Sequence, residues 1–341
     1  MSLVSIILTT LNSERYVARS IGSCLNQTHR EVELLIVDGG SHDRTLDIVG
    51  QIDDPRVKVI HQLNNAGRLP GAINLGMAAA RGEFLTWAQD DSWYEPNAIE
   101  TMLNHLSAHA DVALVYADYW DVDPDGRLER YQRVNPPDHI LIDDVVRQCF
   151  LFRREVFTEI GPQDTRYFPV HEVPWRIKVA QRFKIQPLHL PLMYYTVHTE
   201  SLTGRIGPWV LQRMFLPVLV QEGHFSAAEC RRRLAQIDID EAFDQFVLQG
   251  NYGRFWACFI RGIARDPGQS MNRGLWRLAL ASVSPHRHEF RKDLLDRWRA
   301  RDSAAQHALI LHLDRHVRHG QLAHFVSHSD SAHESVNRGS Q

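Results

Sequence analysis

Strand and helix signals alternate through the first third of the chain, and this alternation restricts the fold more than any other feature. Short apolar, β-branched runs at 4–8, 33–37, 57–60 and 83–87 are separated by helical stretches at 13–26, 45–52 and 70–81. Helical crossovers between consecutive strands predict βαβ units and a mainly parallel sheet with helices on its faces. Ligands of such sheets gather at the carboxyl ends of the strands. Each predicted strand runs into a polar loop, at 9–13, 38–43, 64–67 and 89–92, so that edge is the expected site.

The pattern continues with a strand at 112–119, and Pro124-Asp125-Gly126 supplies the turn of a hairpin. A strand at 149–153 feeds a helix at 154–159, which Gly161-Pro162 stops. A helix at 171–183 and a strand at 185–190 follow. Beyond about residue 205 the alternation ends, and 208–220, 227–235, 241–265, 268–283 and 287–300 all read as helices with apolar positions every three or four residues. The expected organisation is an α/β domain over 1–205, a helical C-terminal extension over 206–326 and a polar, disordered tail over 327–341.

Composition removes several classes of partner. A net charge of −3 over 341 residues gives no basic surface for a phosphate backbone, so no nucleic acid is expected. No apolar run approaches the roughly 20 residues that span a bilayer. The N-terminus lacks the basic region of a signal peptide and reads as a buried first strand. Cys24, Cys149, Cys230 and Cys258 are widely spaced, which suits buried thiols in a reducing cytoplasm. His307, His312, His316 and His319 have nominally zinc-like spacing but no carboxylate-rich constellation beside them, and read as a solvated helix face. Trp298 among Arg297, Arg299 and Arg301 reads as a core-packed ring between solvated arginines; peripheral contact with the inner face of an anionic cell membrane is the alternative.

Two loops could carry chemistry. Asp90-Asp91 follows the strand at 83–87, and adjacent carboxylates repel unless something positive neutralises them. A divalent ion holding a diphosphate would do so, since Mg²⁺ takes one or two carboxylates together with phosphate oxygens and waters. A turn, or a cap for the helix beginning near Pro96, is the plainer reading. In Asp38-Gly39-Gly40-Ser41-His42-Asp43 the glycine pair lets backbone approach a ligand, and Asp38 can accept hydrogen bonds from a base or ribose. A βα turn with Ser41 or Asp43 as helix cap explains the same residues.

Taken in order, the segments Val4-Ser-Ile-Ile-Leu-Thr-Thr-Leu-Asn12-Ser-Glu14-Arg-Tyr16, Val37-Asp38-Gly-Gly-Ser41-His-Asp43, Asn64-Asn-Ala-Gly67, Gly71-Ala-Ile-Asn74-Leu-Gly76 and Gln89-Asp90-Asp91-Ser-Trp93 resemble the family 2 glycosyltransferases over about 1–205. The resemblance implies a GT-A fold, a Rossmann-like, mixed but mainly parallel sheet flanked by helices, and an inverting, metal-dependent reaction. By the same resemblance, Thr9 and Glu14 match positions that line the nucleotide pocket and Asp38 the carboxylate that reads the base. Asn12, Gly40 and Asp90 lie in the matched segments and are assigned to donor binding with them. Asn74 matches a residue of the helix that supports the donor. Asp90-Asp91 matches the metal-binding motif, and there are two departures from the family pattern: Ala88-Gln89-Asp90-Asp91 lacks the first carboxylate of the common Asp-Ala-Asp-Asp, and Gly39 stands at the second Asp of the common Asp-Asp-Gly-Ser.

The segment His171-Glu172-Val-Pro-Trp175 resembles the family's Glu-Asp motif, which makes Glu172 the expected catalytic base, with His171 in place of the preceding acid. A carboxylate at a helix N-terminus is favoured in its charged form, and that alone would also place a Glu there. His198-Thr-Glu-Ser201 resembles the family's closing His-x-x-Ser, where the histidine approaches the metal or the diphosphate. The expected enzyme uses Mn²⁺ or Mg²⁺ at Asp91, Asp90 and His198, takes a UDP-sugar or another nucleotide diphosphate sugar, and glycosylates a glycan or lipid-linked glycan in the cytoplasm. A nucleotidyltransferase would need a basic, Gly-rich phosphate loop that 9–13 lacks. A non-catalytic glycan-binding relative is the other competing function.

Overall fold

In the computed structural model, residues 2–141, 146–271 and 273–297 are described. The tail expected at 327–341, the histidines at 307–319, and Trp298, Arg299 and Arg301 lie outside them. The chain divides into two compact units, Met1–Ile237 and Asp238–Gln341.

The first unit opens with β1 (Val4–Thr10), α1 (Val17–Leu25), β2 (Val32–Asp38), α2 (Thr45–Gly50), β3 (Val57–His61), α3 (Arg68–Ala79) and β4 (Phe84–Gln89). It continues with β5 (Trp93–Tyr94), α4 (Ala98–Ala108), β6 (Val112–Val122), β7 (Leu128–Gln132), β8 (Phe150–Arg153), α5 (Arg154–Ile160), α6 (Glu172–Arg182) and β9 (Lys184–Thr196). One sheet holds the strands in the order β3-β2-β1-β4-β8-β6-β9-β5, with β7 paired to β6. Strands β3, β2, β1 and β4 run parallel, β8 is antiparallel to both β4 and β6, and β9 is parallel to β6. The carboxyl ends of β1, β2, β4, β6 and β9 therefore share one edge.

The composition of the strands explains their order. In β1 and β2 every residue is buried, as expected of central parallel strands covered on both faces. β3 alternates partial and full exposure and forms the sheet's end. Glu33, inside β2, is tolerated because Ser5 Oγ–H and the Arg81 side chain both bond its carboxylate. Helix α3 lies against β1 so closely that a Cβ at Gly76 would sit 2.3 Å from Ile7 Cγ2.

Helices α7 (Leu202–Ile206) and α8 (Pro208–Gln221) follow, and α9 (Ala227–Asp244) spans the division between units. Phe215, Leu216 and Leu219 of α8 join Ile177 of α6 in a small core. The second unit contains α10 (Tyr252–Arg265) and α11 (Arg273–Val283) around Phe246, Phe255, Phe259, Leu275 and Leu278. Its fully buried Asp238 is paired with Arg261 at 3.3 Å and with Arg265. No helix among the described residues is long and apolar enough to cross a membrane.

Candidate active site

The loops after β1 and β2 are knitted together by short polar side chains. Asp38, 2% exposed, accepts the Gly40 and Ser41 N–H groups at 3.1 and 3.0 Å, which folds its own loop into a tight turn. Gly40 takes φ +94°, where a side chain would be strained although open space surrounds it. Asn12 donates its N–H to Ser41 Oγ at 2.9 Å, and its Oδ1 accepts the His42 N–H at 2.8 Å. Glu14 accepts the Arg44 N–H at 3.0 Å and donates its own to Asp43 at 3.1 Å. Asp43 also accepts the Thr45 N–H at 3.0 Å, in a turn just ahead of α2. Thr9 is buried on β1, paired with Val37 and Gln89 on either side. Asn74 spends both ends of its carboxamide on the Gln163 backbone, each at 2.8 Å, and so ties α3 to the segment leading into α6.

The acidic pair at the end of β4 divides into two environments. Asp90 Oδ2 accepts the Leu11 N–H at 3.1 Å, and the Asp90 carbonyl accepts Ser13 Oγ–H at 3.4 Å. Loss of water, then repulsion from Asp91, pushes the Asp90 carboxyl up to about 7, with the donors of the 10–13 loop opposing. Asp91 points the other way: its Oδ2 lies 3.1 Å from His198 Nε2, and its Oδ1 accepts Ser92 Oγ–H at 2.9 Å. The Thr196 hydroxyl donates to its carbonyl. His198 packs against Tyr16 with ring centroids 4.9 Å apart, and its Nδ1 is buried with no hydrogen-bond partner among the described residues. Arg19, stacked 3.6 Å over the Trp93 ring, adds a positive group near Asp91; burial lowers its pKa while the charges of Tyr16 and Asp91 oppose that shift. The pair therefore has a cationic neighbour, Arg19, that its local sequence does not show.

Glu172 opens α6 and reaches back to β4. Trp87 Nε1–H donates to Glu172 Oε1 at 2.8 Å, and Arg176 lies 3.2 Å from Oε2. Trp87 stands on the strand that ends in Asp90-Asp91, which places the expected base and the acidic pair on one strand end. His171 beside it is 1% exposed, and burial, then the charge of Arg176, brings its pKa down to about 3, so it is neutral. Tyr195, paired with Asp121 across β6 and β9, joins the two halves. Its hydroxyl is pushed up to about 12 by burial and then by Asp91, with Asp121 and Glu172 adding to the effect. Asp121 is itself raised by burial while Gln132 bonds it.

Sequence reasoning missed Trp87, Arg176, Tyr195, Arg19 and Asp121. Arg176 carried a signal, since a base four residues after Glu172 faces it on a helix. Nothing in the sequence marks the other four, because strand pairing and ring stacking bring them in.

The glycosyl transferase family 2 model matches residues 5–161. The putative glycosyltransferase EpsH of Bacillus subtilis is 37% identical over 224 residues, covering 59% of this chain and 63% of its own length. The uncharacterized glycosyltransferase alr2836 of Nostoc sp. is 29% identical over 220 residues, covering 57% of this chain and 65% of its own. The chondroitin synthase of Pasteurella multocida is 33% identical over 128 residues, 37% of this chain and 13% of that protein. The chain thus spans less than two thirds of the length of each of these relatives. Among solved structures, S. aureus TarS 1-349 in complex with UDP-GlcNAc has a TM-score of 0.53 at 17% identity, covering 90% of this chain and 92% of that one. The mannosyltransferase PcManGT from Pyrobaculum calidifontis, in complex with GDP-Man and Mn2+, has a TM-score of 0.55 at 13% identity, covering 86% and 83%. At these identities the likeness is one of fold, and the fold is GT-A.

Proposed function

We propose that this chain, whose residues 5–161 match the glycosyl transferase family 2 model, moves a sugar from a nucleoside diphosphate donor to an acceptor hydroxyl, inverting the anomeric carbon. The observation that carries the proposal is the bond from Trp87 to Glu172. It sets a carboxylate base against the strand whose end presents Asp90 and Asp91. We assign catalysis to residues 1–205, with the helices described after residue 205 as an appended region.

The donor side is formed by Thr9, Asn12, Glu14, Asp38 and Gly40. Asn12 and Glu14 shape the paired loops, and Asp38 offers its carboxylate at the floor. Asn74 supports this side from α3 through Gln163. A UDP-sugar is the donor we favour, since UDP-GlcNAc is bound in a structure of this fold that matches nearly the whole chain. The acceptor would be a glycan or lipid-linked glycan.

The residues fit a divalent metal that arrives with the diphosphate rather than one the protein holds alone. Among the described residues no cluster of three ligating side chains exists. Asp91 and His198, with the orphaned His198 Nδ1, offer a carboxylate and an imidazole, a donor set that suits Mn²⁺ better than Mg²⁺. Asp90, committed through Oδ2 to the Leu11 N–H, belongs to the loop and the donor more than to the metal. When bound, the metal would offset the charge that builds on the leaving diphosphate. Glu172 takes the proton of the acceptor hydroxyl as its oxygen attacks. The new C–O bond forms as the bond from the anomeric carbon to the diphosphate oxygen breaks, and the nucleoside diphosphate departs with the electron pair.

A melting-temperature panel of UDP-, GDP- and dTDP-sugars, with and without Mn²⁺, tests this. Ligands that bind only the native state stabilise it by about 2.7 kcal/mol at a hundredfold excess over Kd. We expect a UDP-sugar to raise the melting temperature, more so with Mn²⁺, and Asp91→Ala to remove the Mn²⁺-dependent part. Stabilisation by none of the nucleotide sugars contradicts the proposal.

A further inference from the structure

We infer that Trp87 and Arg176 are positioning residues that fix the Glu172 carboxylate in its reactive orientation, an inference that rests on Glu172 being the base. Two donors approach two different oxygens: the Trp87 indole N–H takes Oε1 at 2.8 Å and the Arg176 guanidinium takes Oε2 at 3.2 Å. A single contact would leave the carboxylate free to swing about its last bond. Two contacts on separate oxygens set its plane as well as its place.

Both donors are themselves immobile. Trp87 is 3% exposed and meets Phe150, Phe152 and Trp175 edge-on, at centroid distances of 4.4, 5.9 and 5.4 Å. Arg176 is 1% exposed, lies 5.5 Å from the Phe150 ring and donates to the Arg147 carbonyl. One donor comes from a central strand and the other from the next turn of the helix that carries Glu172. The carboxylate is therefore referenced to β4, the element that also ends in Asp90-Asp91. Catalytic groups must be held within about 0.5 Å by neighbours that cannot move, and this arrangement does so.

Packing alone does not account for the choice of residues. An indole N–H on a buried strand can be satisfied by a backbone carbonyl, and burying an arginine costs several kcal/mol unless it is paired. Here both converge on one partly exposed carboxylate. His171, the neighbour of Glu172 in sequence, does not compete, since it is neutral.

The test compares Trp87→Phe, which keeps the ring and deletes the N–H, with Arg176→Lys, which keeps the charge and deletes the planar fork. Each is made in the natural chain and in a Glu172→Gln background, with kcat and donor KM measured for all. Displacing a catalytic group by about 1 Å costs on the order of a hundredfold. We expect kcat to fall by about tenfold to a hundredfold in each single variant, with donor KM unchanged and no further loss on the Glu172→Gln background. Trp87→Phe carries the result if Arg176→Lys fails to fold. Unchanged kcat in Trp87→Phe, or a loss of the same factor on the Glu172→Gln background, overturns the inference while leaving the base in place. Near-normal kcat in Glu172→Gln itself overturns the base assignment and the inference with it.

Discussion

Replacing Glu172 by glutamine removes one negative charge from a pair whose other member, Arg176, is 1% exposed. Removing one partner of a buried pair typically costs about 3–5 kcal/mol, and a glutamine that still accepts a hydrogen bond recovers part of it. A lower melting temperature in this variant therefore says nothing about catalysis, and only turnover separates base from structural partner. His171, its neighbour, permits a cleaner reading of stability. Its folded pKa lies near 3 and its unfolded one near 6.5, so below 6.5 the unfolded chain takes up a proton that the folded chain refuses. Stability falls as pH drops through that window. At pH 4.5 the penalty is about 3 kcal/mol, from two pKa units. Urea denaturation at pH 7 and pH 4.5 should show the natural chain losing about that much more than His171→Gln. Equal losses in the two proteins would mean that the imidazole is protonated or solvated in the fold.

At the scale of elements, the contact between α3 and β1 is the one that a single methyl group can break. A Cβ at Gly76 would lie 2.3 Å from Ile7 Cγ2 and 2.9 Å from Cγ1, and Ile7 is fully buried with no room to yield. Gly76→Ala should cost about 1–3 kcal/mol by overpacking, read as an earlier thermal transition. An unchanged transition would show that α3 can lift from the sheet freely, and the Asn74–Gln163 tie would then be doubtful too. The early strands and helices were legible because their periodicity and turn residues agree, and β1 to β4 begin and end within a few residues of the expected limits. Strand β9 runs six residues past the expected 190 because Pro191 sits where its register against β6 shifts. The helix expected at 241–265 is broken: a π-helical turn leads to Gly250 in the left-handed region, and Asn251 caps α10 by accepting the Arg254 N–H. Gly followed by Asn is a stop and a start, and helical periodicity on both sides had hidden it. Within the site, Asp38, Asp91, Glu172 and His198 could be named from the sequence, but Trp87 could not. Its partner lies 85 residues away, and only the sheet brings them together.

For the whole molecule, a single edge of one sheet gathers the loops after β1 and β2, the acidic pair and Glu172, all within Met1–Ile237. We propose that the labour is divided across that edge, with Asp91 and His198 serving the diphosphate and Glu172 the acceptor. The most direct test measures donor affinity with and without Mn²⁺, together with the transfer rate, on Asp91→Ala and Glu172→Gln side by side. The account predicts that Asp91→Ala loses the Mn²⁺-dependent affinity. It predicts that Glu172→Gln keeps that affinity while its rate falls by about 10² to 10⁴, the usual worth of a general base. A Glu172→Gln rate within tenfold of the natural enzyme, or a loss of donor affinity in Glu172→Gln comparable to that in Asp91→Ala, would contradict it.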